Sequence, residues 1–318
     1  MPELAQRGHD LAVTDINLED PRPWGEHGPT ITYLDVRSRE DLDRAVGALG
    51  CDLVIHLAAM TDLEECERNR SNAFHTNALG AKFAALACLK HNADIAYIST
   101  AGVFDGTKTG PYSEFDRPNP INVYGHSKLE GERNVQNLVN RHYVVRAGWM
   151  IGGGRKDHKF VARILDQIAE GRTTLFAVGD KLGTPTYAPD FATCFSYLVE
   201  SGAYGLYHMA CEGSGSRYDV ATEIVTILGR DDIVVREVDS KFFQLEFPTD
   251  RPRSEIMTNT VLGLQRMDLM RPWKVALRDY LEEAYPHLIA SGNGSGNGNG
   301  SGPRQRVAGE ALHAGKSR

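Results

Sequence analysis

Tyr124-Gly-His-Ser-Lys128 places a phenol and an ammonium four residues apart, which on a helix sets both side chains on one face, about one turn from each other. Such a pair suits proton transfer. A nearby Lys⁺ favours phenolate, so the Tyr124 pKa is expected to fall and the phenol to give or take a proton near neutral pH. The spacing alone carries little weight, because an exposed helix pair of this kind arises by accident in many chains. Its context carries more. Ile98-Ser99-Thr100 closes an apolar run upstream, and open parallel sheets place ligands at the carboxyl ends of their strands. Thr100 is therefore a second candidate, although a strand-end hydroxyl can equally bond its own backbone.

The elements that must hold these groups alternate along the first half of the chain. Runs rich in β-branched and apolar residues predict strands over 10–14, 31–34, 53–57, 94–99 and 143–147. Helical periodicity predicts helices over 39–49, 73–91 and 127–140. Cys51 to Ala59 is almost wholly apolar, as a strand covered on both faces should be. This alternation is the pattern of an α/β fold, a doubly wound parallel sheet wrapped by helices. After Gly152-Gly-Gly154 the regularity breaks, and the second half reads as a smaller cap built from insertions, with helices near 160–170, 190–200, 218–228 and 273–284. The expected division is a Rossmann-like domain over 1–150, a substrate-binding cap over 151–288 with some segments returning to the first domain, and a disordered Gly/Asn/Ser linker with a basic tail over 289–318.

Composition bounds the function. The chain has 318 residues and a formal net charge of −7, and its basic end leaves the rest more acidic still, which argues against a nucleic-acid partner. Five scattered cysteines have neither the spacing nor the density of a disulfide scaffold. No apolar run approaches the ~18 residues needed to cross a bilayer, and the opening residues lack a signal-peptide layout. The expectation is a cytoplasmic protein without a membrane partner. Eleven histidines form no ligand-spaced cluster, so no catalytic metal is expected.

Several motifs occur in order: His56-Leu-Ala-Ala-Met-Thr-Asp62, Ser99-Thr-Ala-Gly-Val-Phe-Asp-Gly106, Pro111-Tyr-Ser-Glu114, Pro120-Ile-Asn-Val-Tyr-Gly-His-Ser-Lys-Leu-Glu-Gly-Glu132, Arg146-Ala-Gly-Trp149 and Gly183-Thr-Pro-Thr186. Together they resemble the dTDP-4-dehydrorhamnose reductase family of extended short-chain dehydrogenases/reductases, from about Leu4 to about Ala284. The resemblance implies hydride transfer from a nicotinamide to the 4-keto carbon of a nucleotide-linked deoxysugar. Tyr124 would protonate the carbonyl oxygen, Lys128 would hold the nicotinamide ribose and tune Tyr124, and Thr100 would hydrogen-bond the same oxygen. Asp15, at a strand end, would accept the adenosine ribose hydroxyls and tilt the choice between NAD and NADP toward NAD. Asp35 and Val36 would lie beside the adenine, and Leu57, Ala58 and Ala59 would line the phosphates and ribose. Asn77 would brace the active-site strand. Trp149, Phe160, Pro185, Thr186 and Arg253 match the substrate positions, where an Arg suits a diphosphate and an aromatic suits a base or sugar face; Trp149 reads equally well as core. A homodimer is compatible with the resemblance.

Three departures stand out. The family carries an acidic residue after its catalytic threonine, whereas Thr100 is followed by Ala101-Gly102. Lys181 stands where Gln is usual. The family also opens with a short strand and a G-x-x-G-x-x-G turn that meets the pyrophosphate, while Met1 to His9 matches the end of the following helix; the expectation is that this strand and turn lie upstream. Two alternatives accompany the reductase reading: a sugar-nucleotide epimerase that recycles its cofactor, and a non-catalytic binding or regulatory protein of the same fold.

Overall fold

A computed structural model describes residues 2–20, 28–153 and 159–289. The first half runs α1 (Pro2–Gln6), β1 (Val13–Asp15), β2 (Ile31–Tyr33), α2 (Arg39–Leu49), β3 (Leu53–His56), α3 (Leu63–Arg68), α4 (Arg70–Phe74), α5 (Gly80–His91), β4 (Asp94–Thr100), α6 (Val123–Leu138) and β5 (His142–Ala147). The second half runs β6 (Trp149–Ile151), α7 (Phe160–Ala169), β7 (Thr174–Val178), β8 (Leu182–Gly183), β9 (Pro185–Tyr187), α8 (Ala188–Ser201), β10 (Gly205–Met209), β11 (Gly215–Ser216), α9 (Arg217–Ile227), β12 (Val234–Val238), β13 (Ser254–Glu255), α10 (Thr260–Leu264) and α11 (Trp273–Ala284).

The central sheet is parallel, in the order β10-β5-β4-β3. Strand alternation divides its side chains between two cores. Val144, Ile95 and Tyr97 face Leu42 and Val46 of α2, Ala81, Ala84 and Ala85 of α5, and Val135 of α6. Tyr143, Val145, Tyr207 and Met209 face the other way, toward α7, α8, α9 and α11. Both faces are covered, as the near-continuous apolar strands require, and each such side chain taken fully from water contributes about 1.5–3 kcal/mol. β1 and β2 form a separate parallel pair, so among the described residues β1 and β3 are each bonded on one side only. The exposed Ile16 and Leu57 follow these two edges. In the cap, β6 pairs with β9, β7 with β12, and β8 lies between β11 and β13.

Local chemistry fixes the helix that matters most. Asn122 caps α6 by accepting from the Gly125 N–H, which starts the helix four residues ahead of the predicted 127 and brings Tyr124 into its first turn. No side chain fits at Gly125 or Gly131: a Cβ there would stand 2.2 Å from the Gly102 carbonyl oxygen or 2.3 Å from the Tyr97 hydroxyl. These glycines let α6 lie directly against the end of β4. The predicted helix 73–91 is not continuous. It is broken by a π-turn at His75–Leu79 that buries Asn77 between α4 and α5. The Gly/Asn/Ser linker and basic tail expected after 289 fall outside the described residues, as does Gly154.

Candidate active site

Thr100 ends β4, and Tyr124 and Lys128 project from the first turns of α6, so two elements of the parallel core meet at one point. The Thr100 hydroxyl accepts the Gly102 N–H at 3.1 Å, tying down the turn that follows the strand. It also acts on the Tyr124 phenol, favouring phenolate. Burial outweighs it. With the Glu255 carboxylate adding to the effect, the Tyr124 pKa rises to about 12.

This reverses the lowering expected from the Tyr/Lys spacing. The Lys128 ammonium is turned away, donating to the Ile98 carbonyl at 2.7 Å and lying 4.1 Å from the centre of the Tyr97 ring. Helical spacing set the distance between the two residues but not the direction of a four-carbon side chain. Lys128 is itself almost fully buried, and desolvation lowers its pKa to about 7, with Glu132 opposing the fall. Beside it, burial drives the His56 pKa down to about 3, so its imidazole is neutral and packs on Tyr97.

A buried ammonium burdens the fold, and the sign follows from the lowered pKa. Between pH 7 and the ordinary value of 10.5 the unfolded chain binds the proton more tightly than the folded one, so stability rises with pH across that window. Lys128→Met is therefore expected to raise the melting temperature at pH 6 by several degrees. Its margin over the wild type should shrink between pH 7 and 9. Thermal melts at three pH values check this.

Asn77 braces the site differently from the expectation. Its amide bonds both backbone groups of Met60 and the Ser127 hydroxyl, joining the loop after β3 to α6, and β4 reaches only its carbonyl, through Tyr97. Asp15 is exposed at the end of β1, its carboxylate accepting the Asn17 N–H. Asp35 is held by Arg37 at 2.6 Å, which keeps its carboxyl below the usual range. Val36 packs against Gly80 of α5. Leu57 and Ala58 stand exposed just beyond β3, and Ala59 is half-buried.

The cap brings a second group to the same end of the sheet. Trp149 is half-buried, with the Arg217 guanidinium 3.7 Å from its ring centre and 5.1 Å from that of Phe160. The Trp149 indole N–H donates to Glu255 at 2.8 Å. Pro185 and Thr186 are buried, and the Thr186 hydroxyl donates to the Thr184 carbonyl; they shape the wall from behind. Arg253 is exposed. The cations whose charge reaches Glu255 are Arg217, Arg251 and Lys181. Sequence reasoning missed Arg217 and Glu255. Glu255 closes the charged run Asp250-Arg-Pro-Arg-Ser-Glu255 and Arg217 ends a Gly/Ser stretch, so no pattern singled out either. A separate cleft of about 720 Å³, lined by Phe74, Arg117, His126 and Arg133 among others, opens on the other face of α6 and includes none of Thr100, Tyr124 and Lys128.

Residues 5–285 match the family described as RmlD substrate binding domain. A dTDP-4-dehydrorhamnose reductase of Mycobacterium tuberculosis is 36% identical, the match covering 71% of this chain and 75% of that protein. A dTDP-4-keto-6-deoxy-D-glucose reductase of Streptomyces niveus is 30% identical over 91% of this chain and 90% of its own length. The crystal structure of dTDP-4-dehydrorhamnose reductase from Bacillus anthracis in complex with NADP superposes with a TM-score of 0.75, at 30% identity over 80% of this chain and 90% of that one.

Proposed function

The chain belongs to the RmlD substrate binding domain family, and on that premise we propose that it reduces the 4-keto group of a nucleotide-linked 6-deoxysugar with a nicotinamide cofactor. The observation that carries the reading is the meeting of Thr100, Tyr124 and Lys128 where β4 ends against α6. The residues present fit a nicotinamide nucleotide: Asp15 and the pair Leu57-Ala58 stand exposed at the carboxyl ends of two parallel strands, and Lys128 lies one helical turn from Tyr124, bonded to the Ile98 carbonyl of β4. When bound, the nicotinamide supplies the hydride. Asp15 would hold the adenosine ribose, Ala58 and Ala59 would line the phosphates, and Lys128 would hold the nicotinamide ribose.

The protein's own groups manage the proton. A phenol with a pKa near 12 keeps its proton throughout the neutral range, and the alkoxide that develops on a reduced carbonyl is a stronger base still, so transfer from Tyr124 to that oxygen runs downhill. The Thr100 hydroxyl gives the same oxygen a donor fixed in advance by its bond to Gly102. On the other side the Arg217 guanidinium, stacked on the Trp149 ring, offers a cation of the kind that suits a diphosphate. Absorbance at 340 nm tests the reading. NADH or NADPH should be oxidised stoichiometrically with dTDP-4-dehydrorhamnose or dTDP-4-keto-6-deoxyglucose, and no oxidation with either sugar would overturn it. Running both cofactors also decides the tilt toward NAD that Asp15 supplies.

A further inference from the structure

Ala101 and Gly102 leave the residues after Thr100 without a carboxylate, yet a carboxylate occupies that space. Glu255 enters from β13, where it pairs in register with Gly183 of β8. Its Oε1 lies 3.4 Å from the point where a Gly102 Cβ would stand, and the Thr100 hydroxyl lies 3.4 Å from the same point. A Cβ at 102 would stand in ordinary contact with both groups, which places Glu255 on the Thr100 side of the cleft. Its charge is felt at the Tyr124 phenol. The two oxygens have different surroundings. Oε2 accepts the Trp149 indole N–H at 2.8 Å, which fixes the side chain; among the described residues no donor is bonded to Oε1. Desolvation raises the Glu255 pKa, and the Trp149 bond together with Arg217, Arg251 and Lys181 works against that rise, favouring the ionised form.

We propose that Glu255 is a substrate-contacting, specificity-determining residue whose Oε1 accepts a hydrogen bond from the sugar hydroxyl adjacent to the carbonyl being reduced. This rests on the reductase reading for the identity of the sugar. A carboxylate anchored by one oxygen and open at the other is suited to this: it is an acceptor only, it needs no reorganisation, and a hydroxyl bonded to a charged acceptor gains more than one bonded to a neutral group. The cap strand thereby does what a residue next to the threonine could have done from the sheet. Because β13 belongs to the cap, selection of the sugar is coupled to how the cap sits over Thr100 and Tyr124.

The test needs binding as well as turnover. Calorimetry on the full chain with dTDP-rhamnose and with dTDP alone should show the sugar nucleotide bound about tenfold more tightly. Glu255→Ala should abolish that preference, read as the ratio of the two affinities within the variant. Glu255→Gln keeps an acceptor for the Trp149 N–H and the side-chain volume, and it should lose most of the preference with its melting curve intact. In turnover, both variants should lose about tenfold or more in kcat/KM on a 3-hydroxy 4-keto sugar nucleotide and less than threefold on its 3-deoxy counterpart. A folded Glu255→Ala that keeps the sugar preference overturns the assignment, as does a wild type that binds dTDP-rhamnose no better than dTDP, or equal losses on the two substrates. Loss of the preference in a chain that never oxidises NADH or NADPH would instead support the Glu255 contact and remove the reductase reading.

Discussion

Tyr124→Phe is expected to lower kcat by about 100- to 10,000-fold, the span of a single positioned proton donor, with little change in substrate KM. The substitution is clean because of where the ring sits. Tyr124 packs beside Met60 on the small cluster of Cys66, Ala73 and Val123, and a phenyl ring keeps those contacts. Asn122 still caps the helix, and Lys128 still donates to the Ile98 carbonyl. Only the proton disappears, so the alkoxide must find one from water while the Thr100 hydroxyl remains to bond it. Burial keeps the phenol protonated up to about pH 12, so the wild-type rate should show no loss from Tyr124 ionisation between pH 6 and 9. Steady-state kinetics of both proteins over that range, with nucleotide-sugar binding measured separately, check the prediction. A drop below tenfold, or a matching loss of binding, would remove Tyr124 from the proton-transfer step.

The placement of Tyr124 and Lys128 on one helix, and of Thr100 at a strand end, was legible in the sequence because each is local, while their roles came from the resemblance. Tyr124 and Lys128 are four apart on one helix, and Thr100 ends a run whose apolar character predicts a buried strand. The doubly wound sheet was legible for the same reason: along β5 Tyr143 and Val145 face one core and Val144 the other, so the strand reads as a continuous apolar run. Side-chain direction was not. Four methylenes let the Lys128 ammonium reach back to a carbonyl of β4 rather than forward to the phenol, and no spacing encodes that choice. Glu255 and Arg217 were hidden for another reason. β13 is two residues long, too short for any periodicity, and its partner β8 lies about 70 residues upstream in the chain. The choice between Arg253 and Arg251 shows the same limit: the two stand two residues apart ahead of β13, where no pattern tells them apart, and Arg253 is exposed while the charges of Arg217 and Arg251 reach Glu255.

Glu132→Ala should be the most destabilising single change at the base of the site, by about 3–5 kcal/mol, the usual result of stripping the partner from a buried charge. Glu132 and Arg146 expose 1% and 3% of their side chains, with Arg146 Nη2 donating at 2.7 Å and Nε at 2.9 Å to the two carboxylate oxygens. The Ser99 hydroxyl donates to the same carboxylate. Beyond Arg146, His208 approaches at 3.4 Å, and burial with the adjacent cation drives its pKa down to about 3, so it stays neutral. Alanine at 132 would leave a guanidinium in a dry interior with only that weak contact and the Phe104 ring, 5.2 Å away. Against a total stability of about 5–15 kcal/mol, much of the margin disappears. The double variant Glu132→Leu, Arg146→Met separates the penalty of an orphaned charge from the worth of the pair, and it should recover most of the loss in a denaturant titration. Turnover should not recover with it. Glu132 stands one turn beyond Lys128, and Ser99 stands next to Thr100, so the carboxylate clamps α6 to β4 where Thr100 and Tyr124 meet. A double variant that is stable yet slow would show that this buried pair is kept for the position of Tyr124 relative to Thr100 rather than for stability, whereas recovery of both would assign it to folding alone.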